Sequence, residues 1–223
     1  MTDPARLARE TSPLRARIGA EVAARLTAAG AGRSDAAGFT LWYGEAFLDA
    51  AECAFLIERI EAARQPSATL ADRPLDAFRT SESGNLDRWD HQVRRIDRRI
   101  CALLGIDERQ GETLQGQRYA PGQYFRPHHD FFYTDQAYWA EQARCGGQRT
   151  WTAMIFLNAP EAGGETAFTA AGLVVPPRAG MLLAWNNMDV HGAPNPLSVH
   201  EGRPVMGGVK FIVTKWYREG NWV

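Results

Sequence analysis

The chain has 223 residues, 45% of them hydrophobic, with a formal net charge of −1. That length suits one well-buried domain rather than two, and the near-neutral balance excludes a polyanion-binding surface, so no nucleic-acid partner is expected. No run reaches the roughly 18 apolar residues of a membrane span and no apolar leader opens the chain. Three cysteines, Cys53, Cys101 and Cys145, stand in no CxxC spacing, and the expectation is a soluble cytoplasmic protein with free thiols, with no membrane partner.

Residues 1–12 are polar. From Pro13, apolar Leu14, Ile18, Val22 and Leu26 recur every fourth position, which predicts an amphipathic helix ending near Gly30. The composition of 29–38 reads as a linker and 39–47 as a strand. The expected organisation is therefore an N-terminal helix and linker over 1–38 and a single domain over 39–223. Asp49 and Glu52 form a capping pair for a helix that follows. Residues 65–85 carry no strong period and read as loop. A second helix is predicted from Asp87 to Leu104, with Trp89, Val93, Ile96, Ile100 and Leu103 on one face and Gly105 as its stop. The arginine-rich piece 94–99 reads as its wet face.

After Gly111 the texture changes. Short β-rich runs alternate with Gly, Pro and Asn, interrupted by one helical stretch at 135–144. This pattern predicts a mainly β fold of sandwich or barrel type, with the earlier helices packed outside it.

The stretch "FRPHHDFF" (125–132) carries the first chemistry. If 123–132 is a strand, His128 and Asp130 share one face and His129 points the other way. One imidazole and one carboxylate are two-thirds of a 2-His-1-carboxylate triad, the donor set that holds Fe(II) with positions left open. The third ligand has two candidates, His191 and His200. His200 follows a strand-like run and is preferred because a ligand gains from a rigid element; His191 lies in a Gly/Pro/Asn-rich turn near the mouth of such a site. A zinc hydrolase is disfavoured, because no glutamate stands in an HExxH frame.

In "GVKFIVTKW" (208–216), Lys210, Ile212, Thr214 and Trp216 share one strand face. A mid-strand ammonium among apolar residues is costly unless paired. No acid lies near it in sequence, so a bound anion is an economical partner.

Taken in order, "RYAPGQYFRPHHDFF", "GGQRTWTAMIFLN", "EAGGETAF", "GMLLAWNN" and "SVHEGRPVMGGVKFIVTKWYRE" resemble the Fe(II)/2-oxoglutarate-dependent dioxygenases of the prolyl 4-hydroxylase type, in particular compact bacterial members. The likeness spans about 40–220, with the catalytic core at 111–218. It implies a double-stranded β-helix (jelly-roll) core, an oxidoreductase that uses iron, 2-oxoglutarate and O2, and ascorbate as reductant. By the same resemblance His128, Asp130 and His200 are iron ligands and catalytic residues. Lys210 binds the C5 carboxylate of 2-oxoglutarate, and Tyr119 and Thr166 help to hold that cosubstrate. Arg149 and Trp216 line the substrate side.

Two positions depart from the family pattern. Phe125 stands where relatives acting on peptidyl proline often carry a tyrosine, with Tyr124 on the opposite strand face, and Arg218 stands where some relatives place a histidine near the peptide. The resemblance implies hydroxylation of an unactivated C–H bond, of a prolyl residue in a polypeptide first and of a free amino acid or other small metabolite second, with release of succinate and CO2. A jelly-roll module that only binds is the rival of another class; an intact triad together with Lys210 speaks against it.

Overall fold

Strand β14 (Lys210–Arg218) is buried at every position, and its side chains divide by parity. Phe211, Val213 and Tyr217 enter one apolar cluster, and Ile212 enters another. A strand covered on both faces needs a layer on each side. The computed structural model, which describes residues 10–36, 38–67 and 78–222, supplies both layers.

The remaining strands are β1 (Gly32–Ala36), β2 (Phe39–Gly44), β3 (Gln65–Pro66), β4 (Glu82–Asn85), β5 (Gln115–Tyr119), β6 (Phe125–His128), β7 (Arg149–Phe156), β8 (Ala162–Gly163), β9 (Thr166–Phe168), β10 (Leu173–Val175), β11 (Leu182–Asn186), β12 (His200–Gly202) and β13 (Val205–Gly207). Eight of them form one antiparallel sheet in the order β1-β2-β11-β7-β14-β5-β4-β3, and four form a second in the order β10-β9-β12-β6. A two-stranded piece pairs β13 with β8. Phe39, Leu41, Met154, Phe156, Leu183, Trp185 and Ile212 of the large sheet meet Phe168 of the small one in a single cluster. Two antiparallel sheets closed on one shared core make the expected double-stranded β-helix.

The outer face of the large sheet carries three helices: α1 (Pro13–Ala28), α2 (Ala50–Ala63) and α3 (His91–Leu104). Ser12 caps α1 with Pro13 at its first turn, and Asp49 and Glu52 make the predicted reciprocal capping box on α2. Gly105 ends α3 in the left-handed region, at φ 71°. Leu56, Ile60, Ile96, Ile100 and Leu104 are at most 1% exposed. Each such side chain contributes about 1.5–3 kcal/mol, against about 0–1 kcal/mol for an exposed arginine pair such as Arg98–Glu108. Apolar packing therefore holds the helices on. Contact is close at Gly116 of β5, where a Cβ would lie 2.2 Å from Ile60 Cγ1. Among the described residues, no helix is long and apolar enough to cross a membrane.

Several sequence expectations change. Residues 32–36, read as part of a linker, pair with β2 as the outermost strand of the large sheet. Within 65–85, read as loop, β3 and β4 extend the same sheet, while 68–77 lies outside the described residues. Asp90 is the N-cap of α3, so Trp89 precedes the helix and is 73% exposed rather than on its buried face. The helix expected at 135–144 is the short α4 (Trp139–Arg144). Finally, β6 ends at His128, so Asp130 lies beyond the strand.

Candidate active site

His128 and His200 are direct cross-strand partners in the small sheet, β6 against β12. That register brings their side chains together, with ring centroids 4.3 Å apart. β6 is the sheet edge, which is why Pro127 beside His128 is tolerated. Each imidazole is locked by aromatic packing: Phe125 stacks on His128 at 3.6 Å, and Trp185 meets His200 edge-on at 4.9 Å. Each Nδ1 is also tied to a main-chain carbonyl, His128 to Arg126 at 2.8 Å and His200 to Ser198 at 2.9 Å. A carbonyl only accepts, so both Nδ1 atoms carry the proton and both Nε2 atoms present a lone pair.

Those Nε2 atoms face one carboxylate. His128 Nε2 lies 4.0 Å from Asp130 Oδ1, and His200 Nε2 lies 3.7 Å from Asp130 Oδ2. These spacings exceed a hydrogen bond but match donors arranged about one ion roughly 2 Å from each. His128, Asp130 and His200 thus form a cluster that could hold a metal ion, with all ligand atoms within 4.8 Å of one another. Burial, reinforced by the neighbouring His200, holds the His128 imidazole well below its ordinary pKa. Burial pulls the Asp130 carboxyl upward, but the two imidazoles, Arg149 and the Thr152 hydroxyl outweigh it and keep it below the usual range. A neutral His128 imidazole beside an ionised carboxylate matches the donor states a divalent cation needs.

His129 and His191 stand outside the cluster. His129 bonds the Tyr133 hydroxyl at 3.0 Å and the Pro196 carbonyl at 3.2 Å. His191 is exposed in a turn whose backbone N–H donates to Asp189.

Lys210 is 1% exposed and directly opposite Tyr119 across the β5–β14 pair. No salt bridge or hydrogen bond reaches its ammonium among the described residues, whose nearest fixed partners are the rings of Tyr119 and Phe156, each 5.3 Å away. Burial pushes its pKa down to about 7. The segment that leads into the strand of Thr166 is adjacent: a Cβ on Gly164 would lie 3.2 Å from Lys210 Cδ. Thr166 itself is buried and pairs with Gly202, two residues beyond His200. Tyr119, in turn, would contact a Cβ on Gly202 at 3.9 Å and donates its hydroxyl to Gln117 at 2.7 Å. A buried cation that no acid pairs with among the described residues, Glu165 acting on it only at longer range, fits a small anionic ligand in the barrel that holds the His–Asp–His cluster.

On the other side of Asp130, Arg149 makes a double hydrogen bond to Glu112, at 2.6 Å through each of two nitrogens, and lies 4.2 Å over the Trp216 ring. Its third nitrogen reaches the Asp130 carbonyl at 3.5 Å. Arg218 shares Glu112 and also donates to the Gly147 carbonyl and the Gln142 side chain, so it is spent on holding α4. Burial pulls the Glu112 carboxyl up, but the two guanidinium groups outweigh this and hold it low.

Sequence reasoning missed Arg79 and Ser81. Arg79 is buried, pairs its backbone with Phe125, lies 4.8 Å over that ring and donates to Ser81. It fell in the segment read as loop. Glu112, Thr152 and Asn187 were missed as well; a buried acid or amide shows no sequence period.

The model of the 2OG-Fe(II) oxygenase superfamily matches residues 114–218, which contain the whole cluster and Lys210. Probable prolyl 4-hydroxylase 3 of Arabidopsis thaliana is 31% identical over 201 residues, covering 79% of this chain and 68% of the relative. The chain belongs to the 2OG-Fe(II) oxygenases of the prolyl 4-hydroxylase type. Probable prolyl 4-hydroxylase 10 of the same plant is 32% identical over 196 residues, covering 77% of this chain and 66% of its own. The chain thus spans about two-thirds of the length of these plant relatives. Among solved structures, the viral collagen prolyl hydroxylase of Paramecium bursaria Chlorella virus-1, in complex with 2OG, is similar at 27% identity and a TM-score of 0.61, covering 79% of this chain and 94% of that one.

Proposed function

We propose that the chain is an Fe(II)- and 2-oxoglutarate-dependent hydroxylase that acts on a prolyl residue of a polypeptide. In this reading His128, Asp130 and His200 bind the iron, and Lys210, with Tyr119 and Thr166, binds the far carboxylate of 2-oxoglutarate. The observation that carries it is the buried Lys210 ammonium, unpaired among the described residues, in the same barrel as the His–Asp–His cluster. A module that only held a metal would gain nothing from burying that charge.

When bound, iron and 2-oxoglutarate together supply the oxidising chemistry: O2 is consumed, 2-oxoglutarate is converted to succinate and CO2, and a substrate C–H becomes C–OH. The chain's own residues do the rest. The two imidazoles keep their protons on Nδ1 and offer Nε2; Lys210 charge-pairs and orients the cosubstrate; Phe125, Trp185 and Phe168 surround the imidazoles with apolar surface and exclude water. A polypeptide substrate is supported by Trp216, whose buried indole N–H has no partner among the described residues and suits an amide carbonyl, and by the prolyl hydroxylases that the chain resembles. Ascorbate is the reductant that keeps the iron ferrous. Three unpaired cysteines support a reducing, cytoplasmic setting.

One observation favours a small acidic metabolite instead. Arg149 and Arg218 share the Glu112 carboxylate and buried Arg79 lies near, so three guanidinium groups face two carboxylates, Glu112 and Asp130. The experiment is mass spectrometry of proline-containing peptides and a pool of free amino acids after incubation with protein, Fe(II), ascorbate and 2-oxoglutarate. Addition of one oxygen to a peptide supports the first reading and addition only to a free amino acid the second. Absence of Fe(II)-dependent succinate with every substrate would sink both.

A further inference from the structure

Asp130 Oδ2 accepts a hydrogen bond of 2.8 Å from the Thr152 hydroxyl. Thr152 Oγ1 in turn lies 2.9 Å from Asn187 Nδ2, and Asn187 Oδ1 lies 3.1 Å from the indole nitrogen of Trp185. Thr152 and Asn187 are fully buried and Trp185 is 1% exposed, so no solvent competes. Trp185 and Thr152 are cross-strand partners on β11 and β7. Asn187 is pinned just after β11 by its N–H to the Thr150 carbonyl and its own carbonyl to the Asn195 N–H.

The polarity of this chain is not free. An indole nitrogen can only donate, so the atom facing it must be the amide oxygen of Asn187. The amide nitrogen then has to donate to Thr152. With its oxygen accepting from Asn187, the Thr152 hydroxyl turns its own proton to Asp130. Swapping the amide would set N–H against N–H at one end and remove the donor at the other.

We propose that Trp185, Asn187 and Thr152 are positioning residues for Asp130: a one-way hydrogen-bond relay, started by the indole, that fixes the rotation of the carboxylate and commits Oδ2, leaving Oδ1 as the oxygen offered to the metal. This rests on Asp130 being a metal ligand, the reading given above. Outer partners of this kind typically carry 10–100-fold in metal affinity.

The test is titration of the metal-free full-length protein with Co(II), followed by its visible absorption, for wild type, Asp130→Ala, Thr152→Val, Thr152→Ser and Asn187→Asp. Asn187→Asp puts an acceptor where the donor stood, so the Thr152 proton turns away from Asp130. Thr152→Val and Asn187→Asp are expected to weaken Co(II) binding about 10–100-fold and to change the absorption band, and Thr152→Ser to restore both. Circular dichroism checks folding; should Asn187→Asp not fold, the Val and Ser variants of Thr152 decide. Loss of binding in Asp130→Ala with wild-type affinity and spectrum in Thr152→Val would overturn the relay. Wild-type binding in Asp130→Ala would instead overturn the ligand assignment beneath it.

Discussion

Lys210 and Tyr119 face each other across the central pair β5–β14, with the ammonium nitrogen 5.3 Å from the ring centroid. Neither that ring nor an ion-paired acid among the described residues neutralises the charge, and burial, only partly offset by the Glu165 carboxylate, brings its pKa to about 7. A carboxylate ligand selects the ammonium form. Below that pH the charge is already present when the ligand arrives; above it, binding must take up a proton. The affinity for 2-oxoglutarate is therefore expected to fall roughly tenfold per pH unit above the Lys210 value, with close to one proton taken up. Calorimetry in buffers of different ionisation enthalpy measures this. Lys210→Met should bind far more weakly and without proton uptake, and a wild-type affinity indifferent to alkaline pH would remove Lys210 from the cosubstrate site.

Glu112 joins the site to its wall. It pairs with Arg149 and Arg218, both at 2.6 Å, and Glu112→Gln would leave two guanidinium groups short of a counter-charge. Breaking a buried pair in this way costs about 3–5 kcal/mol, readable by urea denaturation. The carboxyl is held low in the folded chain, so its contribution is complete above the ordinary carboxylate range and lost as pH falls through the depressed value. The variant should accordingly show a shallower loss of stability in acid than wild type; an unchanged acid slope would mean that this pairing contributes little.

Lys215 makes a contrasting prediction on the outer face of the same strand. It is 2% exposed and 2.7 Å from Asp97 Oδ1 of α3. Asp97→Asn strands its ammonium under the helix and should destabilise by about 3–5 kcal/mol. Because β14 parity turns Lys215 away from Lys210, 2-oxoglutarate affinity should stay at the wild-type level below the melting transition. Equal losses of stability and affinity would contradict that separation of faces.

What the sequence disclosed follows from the range of the interactions involved. Parity along "GVKFIVTKW" was legible because every residue of β14 is buried and the period-2 pattern is local. The histidine–aspartate spacing pointed to residues that the fold brings together even though β6 stops at His128, since the bend beyond it carries Asp130 back beside both imidazoles. β1 and β4 were hidden because "GRSDA" and "ESGN" are polar, and only pairing with distant β2 and β5 makes them strands. Trp89 was misplaced because helical period alone cannot tell a first turn from the residue before an N-cap. Arg79 and the Thr152–Asn187 pair act through side-chain hydrogen bonds across the fold, for which a single sequence carries no periodic signal.

The central claim is that the iron site is His128, Asp130 and His200, with its two-histidine stretch divided so that His129 serves the fold. It is tested most directly by Fe(II)-dependent conversion of 2-oxoglutarate to succinate in the four single alanine variants. Wild type and His129→Ala are expected to turn over, His129→Ala with some loss of stability from its bonds to Tyr133 and Pro196. His128→Ala, Asp130→Ala and His200→Ala are expected to be inactive. An inactive but folded His129→Ala beside an active His128→Ala would contradict the account.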